Sequence, residues 1–128
     1  MDKVILDTNF IMTCVKQKID FFWDMKAMGF QIIIPKQVIN ELERVVKSKK
    51  KYRFRQDAEV SLKVLESEKD NFTKIDLKKY GKYTDSGIRN FANQHKEILV
   101  ATMDQGLKRS VKNNKVVIRG TRRLQVVQ

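Results

Sequence analysis

Four of the 15 acidic residues stand where ordinary solvated acids do not. Asp7 closes the apolar run Val4-Ile5-Leu6, and Asp104 follows the run Ile98-Leu99-Val100-Ala101-Thr102. Glu41 lies between the apolar residues Ile39 and Leu42, and Asp85 sits in Thr84-Asp85-Ser86, where a helical pattern begins. Each has a plain reading by itself. Asp7 and Asp85 are suitable helix caps, Glu41 a solvated helix residue, and Asp104 a turn residue. Gathered together they would repel one another and resist desolvation unless a cation were present. A hard divalent ion, Mg²⁺ or Mn²⁺, supplies that charge through oxygen ligands. Such an ion can orient a phosphodiester, activate water and stabilise the leaving oxygen.

The elements that must position these acids follow from the apolar pattern. Val4–Leu6 reads as a buried strand that ends in a turn at Asp7-Thr8-Asn9. From Phe10 to Met28, Ile11, Val15, Ile19, Phe22 and Met25 recur at helical spacing, with a bend near Ile19-Asp20 and a stop at Gly29. Phe30–Ile34 is a second strand, closed by Pro35, and Val38, Ile39, Leu42, Val45 and Val46 form the next helical stripe. Residues 47–55 read as a polar connection, followed by a helix over about 54–68 and a weak strand at 72–75. Thr84 or Asp85 would cap a helix that carries Ile88, Phe91, Ala92 and His95. A strand at 98–102, a short helix at 107–111 and strands at 116–118 and 124–127 complete the chain. Strands alternate with helices, and the strand cores are continuous apolar runs. That indicates a mostly parallel α/β sheet covered on both faces. Ligands of such sheets bind outside the carboxyl ends of the strands, where strand order reverses. Asp7 and Asp104 lie at that edge.

The chain has 128 residues and a net charge of +12, which fits one domain over 1–128 and favours a polyanionic partner such as nucleic acid. Its single cysteine and single histidine, Cys14 and His95, exclude an intrachain disulfide and a structural zinc site. Cys14 reads as a buried apolar residue and His95 as a packed or capping one. No apolar run approaches a membrane span, and no signal-peptide pattern opens the chain. The reading is a soluble, cytoplasmic protein with no membrane partner.

Taken in order, Val4-Ile-Leu-Asp7-Thr8-Asn9, Ile34-Pro35 with Val38-Ile39-Asn40-Glu41-Leu42, Thr84-Asp85 with Ile88, and Val100-Ala101-Thr102 with Asp104 and Leu107 resemble the PIN domain, a family of metal-dependent ribonucleases. The C-terminal third looks most like the PIN proteins of small-subunit ribosomal RNA processing. The residues that carry this are Gln94-His95-Lys96, Leu107-Lys108-Arg109, Ile118-Arg119-Gly120 and Arg122-Arg123-Leu124. VapC-type toxins share the four acids. The resemblance implies a three-layer α/β/α sandwich around a five-stranded, mostly parallel sheet. It implies that Asp7, Glu41, Asp85 and Asp104 are catalytic and bind one or two Mg²⁺ or Mn²⁺ ions. Thr8, Asn9, Ser86 and Thr102 would orient carboxylates or water. RNA would be hydrolysed by metal-activated water, leaving a 5′-phosphate, and the partner would be an antitoxin or a ribosome-assembly factor. Many ribosomal relatives carry further acids where this chain has Ser86 and Gly106, which bears on a second metal.

The rest of the chain adds contacts and competing readings. Lys47, Lys49, Lys50, Lys51, Arg53 and Arg55 place six positive charges in nine residues, interleaved with Tyr52 and Phe54. They read as an RNA-backbone contact with an aromatic able to stack on an unpaired base, or as a solvated loop. Arg119, Arg122 and Arg123 form a second, smaller basic cluster, which reads as a further RNA-binding contact or as a solvated terminal strand. Phe21, Phe22 and Trp23 read as core, or as a homodimer face. One alternative function is an RNA-binding scaffold with a degenerate site. Another is an aspartyl nucleophile of the phosphatase kind at Asp7, disfavoured because Asn9 stands where that chemistry places a general acid.

Overall fold

The computed structural model describes residues 2–120 and 122–128. Among them the strands are β1 (Asp2–Leu6), β2 (Phe30–Pro35), β3 (Phe72–Ile75), β4 (Leu99–Ala101), β5 (Lys115–Arg119) and β6 (Arg123–Val127). The helices are α1 (Thr8–Lys16), α2 (Phe21–Ala27), α3 (Lys36–Val46), α4 (Tyr52–Ser67), α5 (Thr84–Gln94) and α6 (Gln105–Ser110).

One sheet holds all six strands in the order β3-β2-β1-β4-β5-β6. The first five run parallel, and β6 returns antiparallel to β5. The sheet therefore has one strand more than the five expected. Gly120 and Arg122, between β5 and β6, are both at positive φ. The resulting hairpin puts an exposed antiparallel strand on the sheet's edge. Leu124 and Val127 are only half-buried, which is why this segment lacks the continuous apolar run of the inner strands.

The chain lays down β1, β2 and β3 in one direction, then crosses back to place β4 and β5 on the other side of β1. Right-handed crossovers then put α1–α4 on one face and α5 and α6 on the other. The packing agrees: α1, α3 and α4 contact one another, and α5 contacts α6. The reversal of strand order falls between β1 and β4. Val4, Ile5, Leu6, Ile34, Val100, Ala101 and Val116 are fully buried in the sheet, with Phe10, Leu42 and Ile88 against its faces.

Local departures from the sequence reading have local causes. The first helical region splits at Gln17–Asp20, where Asp20 caps α2 through the Trp23 N–H. Phe21 and Phe22 are core, but Trp23 is 70% exposed, one helical step away from the buried side. The connection after α3 ends sooner than expected, because α4 begins at Tyr52 rather than near Phe54. Helix α5 is preceded by Tyr83, so Thr84 and Asp85 lie in its first turn instead of capping it. No helix among the described residues is long and apolar enough to cross a membrane.

Candidate active site at the carboxyl ends of the strands

Asp7 is the residue after β1 and the cap of α1. Its N–H still bonds the Ala101 carbonyl at 3.0 Å, so the end of β1 is pinned to β4. The Asp7 Oδ1 accepts from the Thr8 N–H at 2.8 Å, and Oδ2 accepts from the Thr102 hydroxyl at 2.9 Å. Thr102, just past β4, also accepts from the Asp104 N–H at 3.0 Å. Asp104 in turn caps α6 through the Leu107 N–H at 2.8 Å. The hydroxyl of Thr8 donates to Glu41 Oε1, which ties α1 to α3.

A cavity of about 360 Å³ is lined by all four acids, Asp7, Glu41, Asp85 and Asp104. Thr8, Asn9, Met12, Arg44, Val45, Ser48, Lys50 and Phe54 complete its wall. The four acids expected at one crevice all line this cavity. Asp7 caps α1, its plain reading, and Asp104, read as a turn residue, caps α6.

Burial and mutual repulsion both act on these carboxyls. Burial raises the Asp7 carboxyl to about 6, against lowering hydrogen bonds from Thr102 and Thr8, and Asp85 and Glu41 push it further up. Asp85 is also raised, first by desolvation and then by Asp104 and Glu41, with Arg89 opposing. The ion pairs among the described residues, Lys63–Glu59 and Lys69–Glu66, lie elsewhere on exposed helix surface. None involves the four acids.

This donor set fits a hard divalent cation: four carboxylates share a pocket, and one of them is 3% exposed without an ion-pair partner. Among the described residues, however, no group of three or more Asp, Glu, His or Cys side chains is arranged to hold a metal. The carboxylates share walls of the cavity but are not drawn around a single point.

The other predicted residues divide. Thr8 and Thr102 hold carboxylates as expected, and Asn9 lines the cavity. Ser86 is not part of that lining. Its hydroxyl accepts from the Tyr83 N–H at 3.2 Å and donates to the Tyr83 carbonyl at 3.0 Å, closing the first turn of α5. Of the first basic cluster, Lys50 lines the acidic cavity; Lys47, Lys49, Lys51 and Arg53 are exposed, and Arg55 is half-buried. Arg119 and Arg123 are exposed on the β5–β6 hairpin, while Arg122 lines a separate notch with Lys16 and Lys18. His95 caps α5, stacks on Phe91 at 4.3 Å and meets the Phe91 carbonyl through Nδ1 at 2.9 Å. Cys14 is buried, and desolvation pushes its thiol up to about 12.

Arg44 was missed in the sequence. It follows Glu41 by three residues, the spacing that puts two helical residues on one face. Gly106 also acquires a role. A Cβ there would stand 3.1 Å from Asp104 Oδ1, so a larger residue would crowd that carboxylate.

Residues 4–123 match the family model described as a PIN like domain. The chain belongs to the PIN-like domain family. Ribonuclease VapC4 of Methanocaldococcus jannaschii is 30% identical over 121 residues, covering 92% of this chain and 88% of that protein. The rRNA-processing protein fcf1 of Schizosaccharomyces pombe is 34% identical over 112 residues, 85% of this chain and 53% of that protein. The chain thus spans about half the length of its rRNA-processing relative. The solved structure of the PIN domain endonuclease Utp24 superposes with a TM-score of 0.72 at 30% identity, over 98% of this chain and 96% of that one. The VapBC2 structure from Rickettsia felis shares the fold, with a TM-score of 0.59 at 18% identity.

Proposed function

We propose that this PIN-like domain is a Mg²⁺- or Mn²⁺-dependent endoribonuclease. The observation that carries the reading is one cavity lined by four carboxylates in a chain of net charge +12. Asp7, Glu41, Asp85 and Asp104 would hold the cation. When bound, the ion would activate water and offset charge on the phosphodiester. The chain's own work is to hold and attract. Thr102 and the Thr8 N–H fix both oxygens of Asp7, and the Thr8 hydroxyl fixes Glu41. Lys50 and Arg44 set positive charge on the rim of an acidic centre that would otherwise repel RNA. The exposed basic residues of 47–55 extend that attraction along the backbone.

Within this reading the substrate is ribosomal RNA in maturation, supported by the identity with fcf1 and the superposition on Utp24. A VapC-type toxin is the second reading, supported by the near-complete coverage of VapC4. Its partner would be an antitoxin instead of a ribosome-assembly factor. A non-catalytic RNA-binding scaffold is separated from both by calorimetric titration with Mn²⁺. The nuclease reading predicts saturable binding that depends on Asp7 and Asp104, and RNA cleavage abolished by chelation. Absence of binding up to millimolar Mn²⁺ would favour the scaffold.

A further inference from the structure

The acidic cavity has one aromatic wall, and the metal-centred reading gives it no task. Phe54, in the first turn of α4, lines the cavity together with Asp7, Glu41, Asp85 and Asp104 and is 37% exposed. The Lys50 ammonium lies 5.6 Å from the centre of its ring, and Lys50 lines the same cavity.

The segment that presents this pair is held in place. The Ser48 hydroxyl donates to the Val45 carbonyl at 2.7 Å and accepts from the Lys50 N–H at 3.2 Å. Arg55 Nε donates to the Lys50 carbonyl at 2.9 Å, so the first turn of α4 grips the connection before it. Tyr52 does not share the site. Its ring is 68% exposed, lies near the Arg55 guanidinium at 5.8 Å and forms no part of the cavity lining. Of the two aromatics among the basic residues, only Phe54 faces the acids.

We infer that Phe54, with Lys50 beside it, is the platform on which an unpaired RNA base stacks while its phosphate lies at the acidic centre. The pairing of groups fits a nucleotide: an aromatic face for the base and an ammonium for the neighbouring phosphate. Stacking tolerates any base, because every base has a π-face. It requires that the base be free, since the bases of an A-form duplex are stacked on one another. Phe54 therefore makes the site selective for unpaired RNA and is a positioning residue. This inference rests on the ribonuclease reading for its substrate, but not for its test.

The test uses short single-stranded RNAs that carry 2-aminopurine at one position at a time, mixed with the protein in Ca²⁺, which offsets the carboxylate charge. Stacking on Phe54 quenches the fluorescence at one or two adjacent positions. The quench is lost in Phe54→Ala and in Phe54→Leu, which keeps apolar bulk without an aromatic face. It is retained in Phe54→Trp and in Trp23→Ala, an exposed aromatic at the amino ends of β2 and β3. In cleavage assays with Mn²⁺, Phe54→Leu raises KM about tenfold on unpaired RNA, within the range for losing one base–aromatic stack. An abasic ribose at the quenched position removes the difference between wild type and variant. A quench that survives in Phe54→Leu, or its absence from wild type, overturns the inference. If wild type fails to cut RNA but shows a Phe54-dependent quench, the ribonuclease reading falls and the stacking platform stands.

Discussion

The Thr102 hydroxyl bonds Asp7 Oδ2 at 2.9 Å across 95 positions of sequence, and the same oxygen accepts from the Asp104 N–H. Two acids from two strands are thus held by one buried threonine at the point where the sheet's strand order reverses. Thr102→Val keeps the shape and removes the hydroxyl. It leaves a buried carboxylate oxygen without its donor, a loss of about 1–3 kcal/mol of stability. RNA cleavage falls about tenfold to a hundredfold, the usual effect of losing a group that orients a metal ligand. Thr102→Ser restores most of it. Thermal melts and cleavage rates on the two variants check both parts.

The raised Asp7 carboxyl sets a pH dependence for the metal-free protein. Its value is about 6 in the folded chain against 3.8 for an ordinary aspartate. Between those values the folded state holds more protons than the unfolded state, so stability falls as pH rises through this window. The loss attributable to Asp7 is complete above about pH 6 and amounts to about 3 kcal/mol. Asp7→Asn removes it, so the metal-free variant is more stable than wild type at pH 7. The gap closes below pH 4. Denaturant melts with chelator at pH 4 and pH 7 read the difference; an equal gap at both would contradict it.

The acids were legible because buried strand ends leave a sharp signature, an apolar run stopped by a carboxylate. Asp7 and Asp104 both carry it. Pro35 at the end of β2 marked the entry to α3, and with it the position of Glu41. The missed elements lack such signatures. Tyr52 and Arg53 begin α4 amid charges that suit a loop as well as a helix, and the cationic first turn opposes the helix dipole. β6 is present as expected over 124–127 and begins one residue earlier. Arg44 shares a helix face with Glu41 by spacing, but Phe54 joined the site through the packing of α3 on α4, a tertiary fact that spacing alone does not contain.

The basic rim has a salt signature. Lys49 and Lys51 flank Lys50 in sequence, are exposed, and make no ion pair among the described residues. If both meet phosphate, Lys49→Ala with Lys51→Ala makes the slope of log affinity against log salt shallower by about 1.4 for single-stranded RNA. Filter binding across a salt series measures it. An unchanged slope places the RNA elsewhere.

Asn113 is a separate test of the scaffold. Its Nδ2 lies 3.0–3.1 Å from the carbonyls of Ala92, His95 and Ile98, which share its two N–H hydrogens and join the end of α5 to the start of β4. Asn113→Ala leaves those buried acceptors short of a donor and lowers stability by about 2–3 kcal/mol. At low temperature, cleavage by the folded fraction stays near wild type, because Asn113 is not part of the acidic cavity. Denaturant unfolding together with cleavage at 10–15 °C separates the two effects.

The central claim is that the four carboxylates form one metal-dependent cleavage centre, and Asp104→Asn tests it most directly. Asparagine caps a helix as well as aspartate, so α6 and the fold are retained while one negative charge is removed. With Mn²⁺ and single-stranded RNA, the account predicts that wild type cuts, that chelation stops it, and that purified Asp104→Asn has no measurable metal-dependent cleavage despite an unchanged circular dichroism spectrum. Cleavage by Asp104→Asn at the wild-type rate would contradict the account.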